Sequence, residues 1–450
     1  VVVAHGILPF ALGTDTAGSG RVPAALNGIV GLKPSLGALS ASGVVPACRT
    51  LDTISIFALT VMDAHDVFRP AAAFDPADAY SRPLPAAPMP APSPAPRITA
   101  PDATSLIFFG DDVQAADFEA TLKTLAEGGA RIDRVDFKPF YDVAQMLYDG
   151  AWIAERYAAI EGMMRDRPDA VHPVTRAIIA KAEGQSAVDA FNGFYRLADL
   201  RRACAPILDA ADMLCVPTIP SFATCGELEA DPVTPNSNLG TYTNFVNLLD
   251  LCALAVPTGP RSDGRPGGIT LIAAAGGDGV IAAEGRRLME ARRPLLGATG
   301  NRTPDTPNRE LPDLSESEMS LAVCGAHMSG LPLNIELTSR GARFLRATRT
   351  APCYSLYALP GGPPARPGLF RCDDEQGTSI ALEVWAIPKE AFGDFISRIP
   401  APLVIGTVEI EDGSQVKGFL CEALGKRQAE DISGFGDWRQ FLERDKIVMT

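Results

Sequence analysis

Small residues crowd a single hydroxyl in the stretch Gly13-Thr14-Asp15-Thr16-Ala17-Gly18-Ser19-Gly20-Arg21-Val22-Pro23-Ala24. A strand-like run, Leu8 to Leu12, feeds this loop and leaves Ser19 near its apex. Small side chains let the backbone approach a substrate and aim several N–H groups at one point. Acyl transfer needs this combination, a nucleophilic oxygen beside amides that stabilise the developing oxyanion. By pattern alone, a glycine-rich structural turn or a phosphate cradle accounts for the loop as well. Neither GxxxxGK[ST] nor GxGxxG is present in it.

Two further groups have side chains suited to chemistry. The segment Gln145 to Arg156 is helical in pattern and offers Tyr148 and Arg156. Eight residues make close to two helical turns and about 80° around the axis, so both can line one side of a pocket. The plainer reading is a surface arginine paired with Glu155 or a neighbour. Near the C-terminal end, His327 is flanked by glycines beside a strand, with Glu383 and Lys417 as weaker candidates. A lone histidine is more often structural, and a strand glutamate often only faces solvent.

The elements around these residues follow from periodicity. The first stretch, to about residue 64, reads as strands joined by tight turns. Phe68 to Pro101 is rich in proline and alanine, as in Pro83-Leu84-Pro85-Ala86-Ala87-Pro88, and predicts an extended surface excursion. Ser105 to Gly110 predicts a buried strand, Phe118, Leu122 and Leu125 one helix face, and Ala130 to Phe137 another strand, together an α/β arrangement. Helices are expected from Tyr141 to Met164 and from Ser186 to Ala211. The second is capped by Ser186, with Phe191, Phe194, Leu197 and Leu200 on one face. Met213 to Val216 is a buried strand, and Val280 to Ala291 a last helix. Residues 298–318 form a polar linker, dividing a first domain, 1–297, from a strand-rich second, 319–450.

Bulk properties narrow the function. The net charge of −14 argues against nucleic acid or an anionic membrane as partner. No apolar run reaches the roughly 18 residues that a membrane span needs. Nine cysteines without CxxC spacing point to reduced thiols in the cytoplasm. His5, His65, His172 and His327 are far apart and show no paired-ligand spacing, so neither metal nor cofactor is expected.

Gly13 to Ala24, continued by Leu26-Asn27-Gly28-Ile29-Val30-Gly31-Leu32-Lys33-Pro34-Ser35, resembles the signature segment of the amidase-signature family. Asp52-Thr53, Val216 to Pro220, Thr243 to Gly259 and Gly267 to Leu271 extend the likeness over roughly residues 1 to 290. The resemblance implies an α/β fold with a mixed central sheet flanked by helices. It implies that Ser19 is the nucleophile, that the amides of Thr16, Ala17, Gly18 and Ser19 form the oxyanion hole, and that Asp15 and Arg21 shape the loop. It also implies a second serine in a cis peptide and a lysine as proton acceptors, both N-terminal to the nucleophile segment. Lys33 is in the wrong place to substitute. The chain opens inside an apolar run, Val1-Val2-Val3, without the family's Gly-Gly-Ser-Ser-Gly-like motif. We therefore expect that the first portion of the domain is missing and that the fragment as given is inactive.

Gly240 to Asp250 and the C-terminal segment narrow the likeness to allophanate hydrolases, which split allophanate into ammonia and carbon dioxide. The resemblance assigns Tyr148 and Arg156 to the substrate carboxylate. It gives residues 319 to 450 a small β-barrel related to γ-glutamyl cyclotransferases that aids decarboxylation of the first product, with His327 as its leading residue and Glu383 and Lys417 behind it. A urea carboxylase is the implied functional partner and a homodimer the expected assembly. The alternatives are a hydrolase of another small acyl amide and a non-catalytic amidase-fold assembly subunit.

Overall fold

Alternation along the strands determines how the first unit is layered. Met213 and Cys215 belong to one apolar core, while Leu214 and Val216 belong to another; Cys252, Leu254 and Val256 alternate in the same way with Leu251 and Ala253. Successive strand side chains point to opposite faces, so this sheet must be covered on both. In the computed structural model, which describes residues 1–84, 88–304, 314–372 and 377–448, it is. The chain divides into two units, Val1–Met89 with Arg97–Pro307, and Pro90–Pro96 with Asn308–Thr450.

The first unit contains β1 (Phe10–Asp15), β2 (Val30–Lys33), β3 (Thr53–Ala58), β4 (Arg97–Pro101), β5 (Arg131–Val135), β6 (Met213–Pro217), β7 (Leu251–Pro260) and β8 (Pro266–Ala274). They form one mixed sheet in the order β1-β3-β2-β7-β8-β6-β4-β5. Pairing is antiparallel from β1 to β6 and parallel among β6, β4 and β5. One face buries Phe68, Phe118, Leu122 and Leu288 from the helices Val61–Ala71, Asp112–Glu127 and Asp278–Arg292. The other buries Phe137, Phe140, Leu147, Trp152 and Leu197 from Lys138–Asp149, Ala151–Asp166 and Ala187–Asp209, with the adjoining chain. Each such side chain contributes about 1.5–3 kcal/mol through burial.

Four local expectations are corrected. The proline-rich stretch is shorter than composition suggests: the helix Val61–Ala71 runs through Pro70, and Arg97–Pro101 is an interior strand. Its Pro85, Ala86 and Ala87 lie outside the described residues. Ser105 to Gly110 is not a strand. The Asp102 carboxylate accepts from the Thr104 and Ser105 amides and turns the chain, and Ile107 exchanges hydrogen bonds with the Tyr242 hydroxyl instead of with a strand. The expected helix from Tyr141 to Met164 is two helices, broken at Gly150, whose backbone is extended. The third long helix has its Ser186 cap, as a full capping box with Asp189. However, only Leu197 of its expected face is fully buried, and Phe191 and Phe194 are exposed.

The second unit contains β9 (Glu318–Val323), β10 (Arg343–Arg349), β11 (Tyr354–Leu359), β12 (Arg366–Arg371), β13 (Ala381–Pro388), β14 (Leu403–Glu409), β15 (Gln415–Cys421) and β16 (Glu430–Asp431). These make a five-stranded sheet, β10-β13-β9-β15-β14, and a three-stranded one, β12-β11-β16. An isolated bridge pairs Thr350 with Ile410, but no ladder closes the sheet, so the expected barrel is open among the described residues.

Candidate active site

Asp15 ends β1, and the chain then leaves the sheet through Thr16 to Gly20 before the short helix Val22–Leu26. Asp15 and Arg21 hold this loop from beneath. Arg21 is fully buried and grips the Asp15 carboxylate with two bonds, Nε to Oδ2 at 2.9 Å and Nη2 to Oδ1 at 3.0 Å. Its remaining donors reach the Thr243 carbonyl at 3.1 Å and Asn247 Oδ1 at 3.3 Å. Burial alone raises the Asp15 pKa, but the Arg21 charge and hydrogen bonds outweigh it and leave the carboxyl below its ordinary value. Asn247 completes the base by donating to the carbonyls of Asp15 at 2.8 Å and Leu51 at 2.9 Å.

Over this base the loop presents Ser19, which is exposed. Among the described residues no hydrogen bond occupies the amides of Thr16, Ala17, Gly18 or Ser19, so all four remain available to an incoming oxyanion. Gly18 has a φ of 143°, and a Cβ there would lie 2.4 Å from Thr243 Oγ1. A Cβ on Gly20 would lie 2.1 Å from Ser55 Oγ. These two glycines are steric requirements of the bend. Thr16 Oγ1 donates to Asp52, whose other oxygen accepts from the Ala47 and Cys48 amides. Lys33 is buried beneath the signature segment, and its ammonium is spent on the carbonyls of Pro34 at 2.9 Å and Leu251 at 2.8 Å. Burial lowers its pKa to about 8.

Tyr148 and Arg156 lie on different helices, yet the break at Gly150 brings them together. The Arg156 guanidinium carbon sits 5.1 Å from the centre of the Tyr148 ring. Glu155 does not pair with it. That carboxylate accepts from the Thr50 amide at 2.8 Å, the Thr50 hydroxyl at 2.7 Å and the Cys48 thiol at 3.0 Å. Arg156 Nε and Nη2 are buried with no hydrogen-bond partner. Because the Cys48 amide also donates to Asp52, a chain of bonds runs from Thr16 on the Ser19 loop through Asp52 and Cys48 to Glu155. Ala17 and Tyr148 pack on the same apolar cluster.

In the second unit the three expected residues separate. His327 lines a cavity of about 90 Å³ with Glu336, Arg366, Phe395 and Phe419. Its ring stacks on Phe419 at 5.0 Å, meets Phe395 edge-on at 5.3 Å, and places Nε2 3.1 Å from Glu336 Oε2. Burial holds its pKa below the ordinary value and outweighs the Glu336 carboxylate, which raises it. Glu383 does not line this cavity. It is buried, and its carboxylate accepts from the Ser329 amide and hydroxyl, Trp385 Nε1 and Arg439 Nη2. Lys417 is exposed on β15 with Nζ 3.2 Å from Thr407 Oγ1. Asn247, Glu336 and Arg366 were not singled out from sequence. Asn247 sits inside a family-like stretch that could have flagged it, but nothing local marks the other two.

The fold and the Ser19 loop define a class, and comparison with known proteins names it: residues 1–281 match the amidase family and residues 319–443 the allophanate hydrolase C-terminal domain. The chain belongs to the amidase family and carries that second domain. It is 43% identical to the urea amidolyase of Saccharomyces cerevisiae over 459 residues, covering 98% of this chain and 25% of that protein. The structure of Kluyveromyces lactis allophanate hydrolase matches with a TM-score of 0.72 and 40% identity, over 98% of this chain and 74% of that one. The K. lactis urea amidolyase structure matches with a TM-score of 0.73 and 41% identity, over 98% and 27%. The chain thus spans about a quarter of the length of the curated urea amidolyases it matches. Among the described residues no helix is long and apolar enough to cross a membrane.

Proposed function

We propose that this chain carries the amide-hydrolysing half of allophanate breakdown, with Ser19 as nucleophile. The observation that carries this reading is the unpaired, half-buried Arg156 guanidinium on the Tyr148 ring. A buried guanidinium without a counter-ion is costly unless a ligand supplies one, and a planar carboxylate suits its forked donors. Allophanate is a small amide that bears such a carboxylate.

Ser19 Oγ attacks the terminal amide carbon, its proton passing to the family's lysine and cis-bonded serine. The oxyanion settles on the amides of residues 16 to 19. Collapse breaks the C–N bond as that proton passes on to the departing nitrogen, which leaves as ammonia, and an acyl-serine remains. Water cleaves this ester, restoring the hydroxyl and freeing a nitrogen that bears two carboxylates. His327, backed by Glu336, then delivers a proton to that nitrogen as its C–N bond to departing carbon dioxide breaks. A urea carboxylase supplies the substrate in this scheme, and the names of the urea amidolyase relatives are in keeping with it. We assign the protein to a cytoplasmic homodimer.

Steady-state kinetics on the full-length protein with allophanate, malonamate and a neutral amide test the reading. A preference for carboxylated amides that disappears in Arg156→Ala supports it. Equal turnover of neutral amides before and after that change points to another acyl amide, and no ammonia release from any of them to an assembly subunit.

A further inference from the structure

Arg156 keeps two buried donors without a partner although an acidic residue precedes it in sequence. Side chains at adjacent helical positions diverge by about 100°, but that does not prevent pairing. On the same helix Arg165 Nε meets the adjacent Asp166 carboxylate at 2.9 Å. What separates Glu155 from Arg156 lies outside the helix. Thr50 takes up the Glu155 carboxylate through its amide at 2.8 Å and its hydroxyl at 2.7 Å, and the Cys48 thiol adds a third bond at 3.0 Å. These donors are fixed without help from Glu155. Asp52 accepts from the Ala47 and Cys48 amides at 2.8 and 3.0 Å, and the Leu51 and Asp52 amides return to the Cys48 carbonyl at 2.9 and 2.8 Å. Asn247 donates to the Leu51 carbonyl at 2.9 Å. The loop therefore holds the glutamate, and not the reverse. Burial above all, and then the Glu155 carboxylate, raise the Cys48 pKa and keep its thiol a donor, against the lowering effect of the Arg156 charge. Guanidinium and thiol are thus within electrostatic reach of each other.

We propose that Cys48 and Thr50 determine specificity by sequestering the Glu155 carboxylate, so that Arg156 meets a substrate carboxylate with its charge unopposed. The inference rests on the reading above, in which Arg156 binds that carboxylate, and adds the residues that preserve its charge for the task. Released from these donors, Glu155 turns to the guanidinium one position away and competes for it with the substrate. It also sets a like charge beside the bound carboxylate, which costs affinity. A neutral amide does not need the guanidinium and is indifferent to both effects. Cys48 and Thr50 touch no substrate in this scheme; they are positioning residues that act through Glu155.

The test measures binding without turnover, on the Ser19→Ala form of the full-length protein. Malonamate, a carboxylated amide, is titrated by calorimetry, and the binding lost in Arg156→Gln defines the Arg156 site. Cys48→Ala with Thr50→Val removes both side-chain donors and should weaken malonamate at that site by about fivefold or more. Adding Glu155→Gln should return the affinity to within about twofold of the parent, because the competing charge is gone. Glu155→Gln alone should bind no more weakly than the parent, whereas loss of a merely structural glutamate would weaken binding. Cys48→Ser with Thr50→Ser keeps both donors and should match the parent. Thr50→Val alone, at an exposed position, repeats the same signs at smaller size, and melting curves establish which variants are folded. Unchanged affinity in the folded donor variants, or a loss that Glu155→Gln does not restore, overturns the proposal and leaves the role of Arg156 standing. Malonamate binding indifferent to Arg156→Gln overturns that role and this inference with it, so the two failures are distinguishable.

Discussion

Glu155 and Arg156 are neighbours in sequence and do not pair: the carboxylate turns to Thr50 and Cys48, and the guanidinium lies on Tyr148. The ion pair between these two neighbours is therefore absent, and Arg156 Nε and Nη2 are buried without a hydrogen-bond partner. A charge-assisted hydrogen bond contributes about 1.5–3 kcal/mol. Arg156→Gln is accordingly expected to raise KM for a carboxylated amide by about 10- to 100-fold. Neutral amides should change by no more than about twofold. Steady-state kinetics on the full-length protein would show the split.

Gly18 is held where an L-residue is strained and where Thr243 leaves no room for a Cβ. Gly18→Ala should cost about 1–3 kcal/mol of stability from backbone strain alone, and kcat should fall with the displaced amides. Adding Thr243→Ala should restore part of the stability and little of the kcat, because the strain stays. Urea midpoints and initial rates of the single and double variants measure both effects.

Breaking the Asp15–Arg21 pair leaves a charge sealed in the interior. Asp15→Asn is expected to destabilise the first unit by about 3–5 kcal/mol. Because folding lowers the Asp15 pKa below 3.8, its contribution is present above that value and is lost as pH falls through the folded one. Acid unfolding of the parent chain should therefore show a proton uptake that Asp15→Asn lacks.

His327 has the same sign for a different reason, since burial disfavours its protonated form. Its stabilising contribution is complete above the ordinary value of 6.5 and fades as pH falls through the lower folded value. The urea midpoint of the parent should drop more steeply between pH 6.5 and acid than that of His327→Gln. Glu336→Gln, which removes the carboxylate that raises the pKa, should move the imidazole titration lower still, as NMR would show.

The residues that can be read from sequence are those whose role is local. The bend around Ser19 demands small residues wherever it occurs, so Gly18 and Gly20 are visible in the order of amino acids alone. Ser186 announces its cap through Asp189 three residues on. Roles set by distant partners are hidden. Glu383 is a strand glutamate until Arg439, 56 positions later, shows it to be an internal counter-ion. Arg366 follows a proline-rich loop, and only the fold brings it to His327. The misplaced strand at Ser105 has the same origin, since its apolar run is satisfied by Tyr242, 135 residues beyond Ile107.

The segment Pro90–Pro96 belongs with the second unit, where the Ala91 amide bonds to the Phe344 carbonyl at 3.1 Å. The polypeptide therefore visits that unit twice. A protease nicking the polar connector at 298–318 would leave both fragments bound under native conditions, and they would part only in denaturant. Expression starting at residue 308 would omit a piece of the second unit's own wall, so trimming experiments on this protein should carry residues 90–96 along.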